Sequence, residues 1–135
     1  MSIQLSTAVR NARLDAIETA IGASAILRIR SGAAPASCAA ADAGTVLATV
    51  NCPADYLAAA AGGSKAKSGT WEDLSADAAG TAAHFRLYDS VGTTCHLQGT
   101  VTATGGGGDL TVQNTSFAVG QAFTITGFDL TEGGA

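Results

Sequence analysis

The spacing of apolar residues changes character at Gly22, and that change constrains the fold more than any other feature of the chain. Before it, Val9, Leu14, Ile17 and Ile21, with Ala12 and Ala20 between them, form an apolar stripe, while Arg10, Arg13, Asp15 and Glu18 take other directions. Ser6 or Thr7 can cap the start and Gly22 can end it, so one helix is expected over 6–22. Such a helix either packs on its own domain or reaches a neighbouring subunit as an arm. After Gly22 the pattern alternates with a period of two, interrupted by glycine-rich breaks, to the end of the chain.

The alternation is easiest to follow strand by strand. Leu27 and Ile29 share one face of a first strand, and Arg28 and Arg30 share the other. Residues 31–44, which contain Pro35 and mostly small side chains, read as a long loop, followed by a strand at 45–51 that Pro53 terminates. A short helical turn is expected at 56–61, before Gly62-Gly63, and a strand near 65–71. From Gly80, Ala83, Phe85 and Leu87 alternate with His84, Arg86 and Tyr88. A turn at Asp89-Ser90-Val91-Gly92 then leads to Cys95, Leu97, Gly99 and Val101 alternating with His96, Gln98 and Thr100. In the last strand Phe123 and Ile125 are out of phase with Phe128 and Leu130, and a one-residue bulge at Gly127 would bring all four to one face. Seven or eight short strands predict a mainly β fold: an antiparallel, jelly-roll-like β-sandwich over 24–135, preceded by an N-terminal α-helix, the helical arm of residues 1–23.

Composition makes this a thin-cored domain. Hydrophobic residues are 47% of the 135, but 29 of them are alanine and only 31 are larger than alanine or cysteine. Area burial stabilises by about 25 cal/mol per Å², so the alanines contribute little, and contacts with partners are expected to supply the rest. With 7 Lys and Arg against 11 Asp and Glu, the chain has no basic footprint for a phosphate backbone, and no nucleic-acid partner is expected. It shows neither a leader-like start nor a long uncharged apolar run, which argues against secretion by the usual route and against a membrane partner. Cys38, Cys52 and Cys95 form an odd set without C-x-x-C spacing, so reduced thiols in a cytosolic compartment are the default.

Chemistry-bearing patterns are sparse. Gly105 to Gly108 is followed by Asp109-Leu110 rather than Lys and Ser or Thr, so it reads as a hairpin connection and not a phosphate cradle. His84 and His96 fall on the less apolar faces of the paired strands, where they could pack against each other and respond mildly to pH. Cys95 is expected to point with Leu97 toward the core, away from either imidazole, which disfavours thiol catalysis or metal binding. Asp55, Glu72, Asp73 and Asp77 read as solvated loop acids. Tyr56, Trp71 and Tyr88 fit core or rim packing better than a ligand platform or an interface anchor. No catalytic, cofactor-binding or metal-ligating residue is therefore predicted, no cofactor is expected, and the chain does not read as an enzyme.

Two blocks carry a resemblance. Ile26-Leu27-Arg28-Ile29-Arg30-Ser31-Gly32-Ala33-Ala34-Pro35, leading to Gly44-Thr45-Val46-Leu47-Ala48, is one. The other is His84-Phe85-Arg86-Leu87-Tyr88-Asp89-Ser90 with Gly92-Thr93-Thr94-Cys95-His96-Leu97-Gln98-Gly99-Thr100-Val101. Together with the opening Leu5 to Asp15, they resemble small virion proteins of tailed bacteriophages, most of all capsid cement (decoration) proteins of the Bordetella-phage type. The resemblance implies a jelly-roll-like subunit on the outside of the major capsid protein shell, stabilising it, with that protein and further copies of itself (homodimer or homotrimer) as partners. A tail, neck or fibre-associated virion protein is the alternative. The resemblance supplies no catalytic residues and no contact motif. Physically, a helical arm, unpaired strand edges and small-residue loops at 31–44 and 53–63 are where inter-subunit contacts are expected.

Overall fold

The computed structural model describes residues 3–131. Helix α1 spans Thr7–Ile21. The Ser6 hydroxyl accepts from the Val9 N–H at 3.2 Å to cap it, and Gly22, at φ 88°, ends it. Leu14 and Ile21 are buried, but Val9 is 45% exposed and lies outside the apolar stripe expected to include it. Its five-residue spacing from Leu14 rotates it away from the face shared by Leu14, Ile17 and Ile21. The outward face carries Ala8, Ala12, Ala16 and Ala20.

Nine strands follow among the described residues: β1 (Ile26–Ser31), β2 (Val46–Asn51), β3 (Ser64–Ala66), β4 (Glu72–Asp73), β5 (Gly80–Tyr88), β6 (Cys95–Ala103), β7 (Leu110–Val112), β8 (Ser116–Phe117) and β9 (Phe123–Thr131). They form one hydrogen-bonded path, β2-β1-β5-β6-β7-β9-β3, with β4 on β9 and β8 on β5. The mainly β character and the N-terminal helix agree with the sequence reading. The sheet itself is mixed rather than antiparallel throughout, because β6 and β7 run parallel, Val101 opposite Leu110. Parallel neighbours ordinarily need a long crossover. Here β7 is only three residues long, so six residues suffice to bring the chain back. The four glycines make that return compact: a Cβ on Gly106 or Gly108 would lie 2.8 or 2.7 Å from the Thr102 side chain.

The path curls into a half-barrel. β5 and β9 are not neighbours in it, yet the Phe85 and Phe128 rings meet edge to face at 5.6 Å, and Trp71 packs on Phe128 at 5.3 Å. Leu27, Ile29, Leu47, Val50, Leu87, Val101, Leu110 and Val112 fill the space around them. The curl also brings β4 against β2: Thr49 N donates to the Asp73 carboxylate at 3.0 Å, and Asp77 N donates to Leu47 O at 2.8 Å. Side-chain and loop bonds, rather than a ninth ladder, close that gap.

Two bulges set which side chains reach the core. In β9, Gly127 pairs with Thr111 and Ile125 with Val112, leaving Thr126 as the extra residue. Phe123, Ile125, Phe128 and Leu130 all join the core cluster as a result, as the phase change in the sequence required. In β6, Leu87 pairs with Leu97 but Tyr88 with Cys95, so His96 is the extra residue. Residues 56–61 are extended rather than a helical turn. Gly62 and Gly63, at φ 60° and 79°, make a two-residue reversal, and Ala61 N donates to Ser64 O at 2.9 Å. A hairpin turn with positive φ at both central residues outweighs the helical preference of the alanines.

Candidate functional site

Strand β5 is buried on both faces. Phe85 and Leu87 enter the core, while His84, Arg86 and Tyr88 lie beneath residues 32–45, the alanine-rich loop joining β1 to β2. A loop of small residues cannot satisfy its own carbonyls when it is laid on a sheet, and a buried unpaired carbonyl is costly. Arg86, 1% exposed, solves this. Its Nη2 donates to the carbonyls of Ser37 (3.3 Å), Cys38 (2.8 Å) and Ala40 (3.1 Å), its Nη1 to Ala40 O (3.2 Å) and the Asp42 carboxylate (2.5 Å), and its Nε to Cys95 Sγ (3.2 Å).

Asp42 is the counter-charge of this face. It also pairs with Arg30 Nη2 at 3.0 Å and accepts from the Tyr88 hydroxyl at 2.6 Å. Burial pushes its carboxyl up, but the Tyr88 hydroxyl, Arg30 and Arg86 more than reverse this and hold it below the usual carboxylate range. Burial and the hydrogen bond to Asp42 raise the Tyr88 phenol. Arg28 stacks over the Tyr88 ring at 4.7 Å and donates to Gly92 O at 2.9 Å. At the far end, His84 Nδ1 lies 2.7 Å from Gly32 O, and since a carbonyl only accepts, Nδ1 carries the hydrogen. Gln98 Nε2 donates to Pro35 O at 2.7 Å. The loop is thus pinned along its length. Beside it opens a cleft of about 630 Å³ lined by Cys38, Asp42, Arg86, Thr94 and Cys95.

A second polar cluster docks α1. Lys65 of β3, 2% exposed, reaches Asp15 at 2.7 Å, Glu18 at 2.8 Å and Ala58 O at 2.9 Å. Asp15 and Glu18, three apart, lie on one helix face and so can share one ammonium. Burial lowers the Lys65 pKa, but the two carboxylates reverse this, and the net shift is upward. Asn11 adds a bond from Gly63 N at 2.9 Å.

The residues singled out from sequence distribute as follows. The bulge at His96 turns Cys95 away from the core and onto the Arg86 face, contrary to the expected alignment with Leu97. His84 and His96 do not pack together: His84 is buried opposite Thr100, and His96 is exposed. Trp71 and Tyr56 are core residues, the indole N–H donating to Tyr56 O and Ser68 O at 3.2 Å and the Tyr56 hydroxyl to Gly22 O at 3.0 Å. Tyr88 belongs to the loop clamp. Asp73 and Asp77 are exposed or half-buried acids engaged with Thr49. Among the described residues no group of three or more His, Cys, Asp or Glu is placed to hold a metal ion.

Arg86, Arg30, Asp42 and Lys65 were not singled out by sequence reasoning. One signal could have found the first three: a fourteen-residue loop, mostly Ala, Ser and Gly, with one acid, next to strands whose outward positions hold arginine rather than Thr or Ser. The donors of this arrangement go to the loop's own carbonyls and to Asp42 and Cys95. No protein-family model, no curated protein and no solved structure matches the chain.

Proposed function

We propose that the chain is a structural protein of a tailed-phage virion and not an enzyme. Within that class we infer a capsid cement protein, bound with further copies of itself on the outside of the major capsid protein shell and stabilising it. One observation carries the reading: the two blocks that resemble small virion proteins fold into a single physical unit. Block 26–48 supplies β1, the alanine-rich loop and the start of β2; block 84–101 supplies β5 and β6, whose Arg86 and Tyr88 hold that loop.

The chemistry of this unit suits adhesion. Ala33, Ala34, Ala36, Ala39, Ala41 and Ala43 are exposed on a loop already fixed from beneath. Small side chains allow close approach of another surface, and a loop ordered in advance loses little entropy on docking. Many copies on a repeating lattice then gain from avidity what each contact lacks. A jelly-roll-like description of the half-barrel belongs to the same proposal, with β2-β1-β5-β6 and β7-β9-β3 as its two layers across the Phe85–Phe128 contact.

Locating the labelled protein in purified particles tests the reading. Uniform density over the shell supports a cement role, a single spot at one vertex supports a tail or neck role instead, and absence from the particle refutes both. Activity against cell-wall polymer, abolished by substitution of polar residues in the cleft, would refute the non-enzymatic part.

A further inference from the structure

Two thiols open onto the cleft beside the alanine-rich loop. Cys38 and Cys95 are both partly exposed free cysteines, 57 positions apart in sequence, and both line that cleft. A single guanidinium holds them together. Arg86 Nη2 donates to the Cys38 carbonyl at 2.8 Å and Nε to Cys95 Sγ at 3.2 Å, so the backbone of one and the sulfur of the other sit on the same edge of a rigid planar group. The two thiols are near enough to act on each other electrostatically. The third cysteine is of another kind: Cys52 is buried in the core and burial pushes its thiol up to about 12.

We propose that Cys38 and Cys95 form a reversible disulfide that staples the alanine-rich loop to the start of β6. The oxidant is a low-molecular-weight disulfide. The Cys95 thiolate, its proton released to solvent, attacks one sulfur of that disulfide. A mixed disulfide forms on Cys95 and the first small thiolate leaves. Cys38 then loses its proton and attacks Cys95 Sγ, the Cys38–Cys95 bond forms, and the second small thiolate leaves. The protein thiols are oxidised by two electrons and the small disulfide is reduced to two thiols. The Arg86 Nε–H already directed at Cys95 Sγ assigns Cys95 as the first sulfur to react and Cys38 as the resolving one. Arg86 keeps its role throughout, since a disulfide sulfur still accepts from Nε.

The consequence is a loop with two settings. Reduced, it is held by hydrogen bonds and the ion pairs of Asp42; oxidised, it closes a covalent ring that runs through β2, β3, β4 and β5, which raises the melting temperature by on the order of 10 °C.

The test uses the full chain, reduced and then exposed to glutathione disulfide. Free thiols are then alkylated and the intact mass and tryptic peptides read by mass spectrometry. The expected result is a loss of two hydrogen masses without retained glutathione. Peptide 31–65 should be joined to peptide 87–135, with fragmentation placing the link at Cys38 and leaving Cys52 alkylated only after unfolding. The melting temperature should rise and return on adding reductant, and Cys38→Ser and Cys95→Ser should each abolish the rise while retaining one glutathione on the remaining thiol. Stable glutathione adducts on both cysteines of the wild type, no reaction at either, a link through Cys52, or a link only between two molecules would each overturn the proposal.

Discussion

Replacing Arg86 by methionine keeps an aliphatic stem beneath the alanine-rich loop and removes the donors that hold its centre. Three loop carbonyls, one carboxylate and one sulfur lose their partner at once. Summing charge-assisted hydrogen bonds at about 1.5–3 kcal/mol each would overstate the cost, because a released loop is rehydrated. Asp42 has a side chain 42% exposed and keeps Arg30 and Tyr88, so it is not left as an isolated buried charge. Breaking a buried pair by removing one member costs about 3–5 kcal/mol, and rehydration places this case at the lower end, about 3 kcal/mol. At roughly 3 °C per kcal/mol for a chain of this size, the melting temperature falls by about 10 °C. Arg86→Lys retains the charge and reaches Asp42, but a point ammonium cannot serve the carbonyl fork, so an intermediate loss of about 1–2 kcal/mol is expected. Hydrogen exchange gives the local readout: the Ala40 amide, bonded to Ser37 O at 3.1 Å, should lose protection in Arg86→Met while the Leu27 and Phe85 amides keep theirs. A methionine variant that melts within about 2 °C of the wild type, with Ala40 exchange unchanged, would refute the clamp.

Three further outcomes follow from the same geometry. Asp42 is held below its ordinary value, so its contribution is present above about pH 4 and is lost as pH falls through the lowered value; Asp42→Asn should be less stable at pH 7 and show a shallower acid limb in melts from pH 6 to 2. The limb should not vanish, because Asp15 and Asp89 are lowered as well, the first chiefly by Lys65 and the second by the N–H groups of Thr93, Thr94 and Gly92 against the opposing effect of burial. At the helix dock, the double change Asp15→Asn with Glu18→Gln should lower the melting temperature more than Lys65→Met, since it strands a buried ammonium while the other lets two half-exposed acids return to water; the reverse ranking in thermal melts would remove Lys65 as the anchor of α1. Gly108→Ala places a Cβ 2.7 Å from Thr102 Oγ1 and should cost about 1–3 kcal/mol in chemical denaturation, whereas Gly105→Ala meets no atom within 4 Å and suffers only its positive φ.

Much of the architecture could be read from the sequence because it rests on local rules. The helix ends where Ser6 and Gly22 place them, and β1, β2, β5, β6 and β9 appear where alternation is sustained. The phase slip before Phe128 announced a bulge because four large apolar side chains had to reach one core. The second bulge carried no such signal: only Cys95 lies beyond it, a residue suited to either face, and the structure gives its sulfur to Arg86 Nε. The clamp was hidden for a related reason. Alternation marks one face of β5 as inward and assigns the other to water, but Arg86 and His84 are inside because a distant loop covers them, and such coverage leaves no periodic trace. The alanines at 58–61 misled because propensity is weaker than the turn geometry that Gly62 and Gly63 make possible.

The ends of the sheet path decide how this chain can meet other chains. At one end, the outward-facing groups of Leu47 and Thr49 are occupied by Asp77 N and the Asp73 carboxylate. At the other, β3 is flanked by the extended 57–61 segment, with Ala58 N donating to Ala66 O at 2.8 Å, and overlain by α1 through Lys65. Among the described residues, neither end of the path offers a bare row of backbone donors and acceptors, so a visiting strand finds no template there to extend. Sheet ends protected in this way let the protein be crowded to high local density without fibrillar self-association through them.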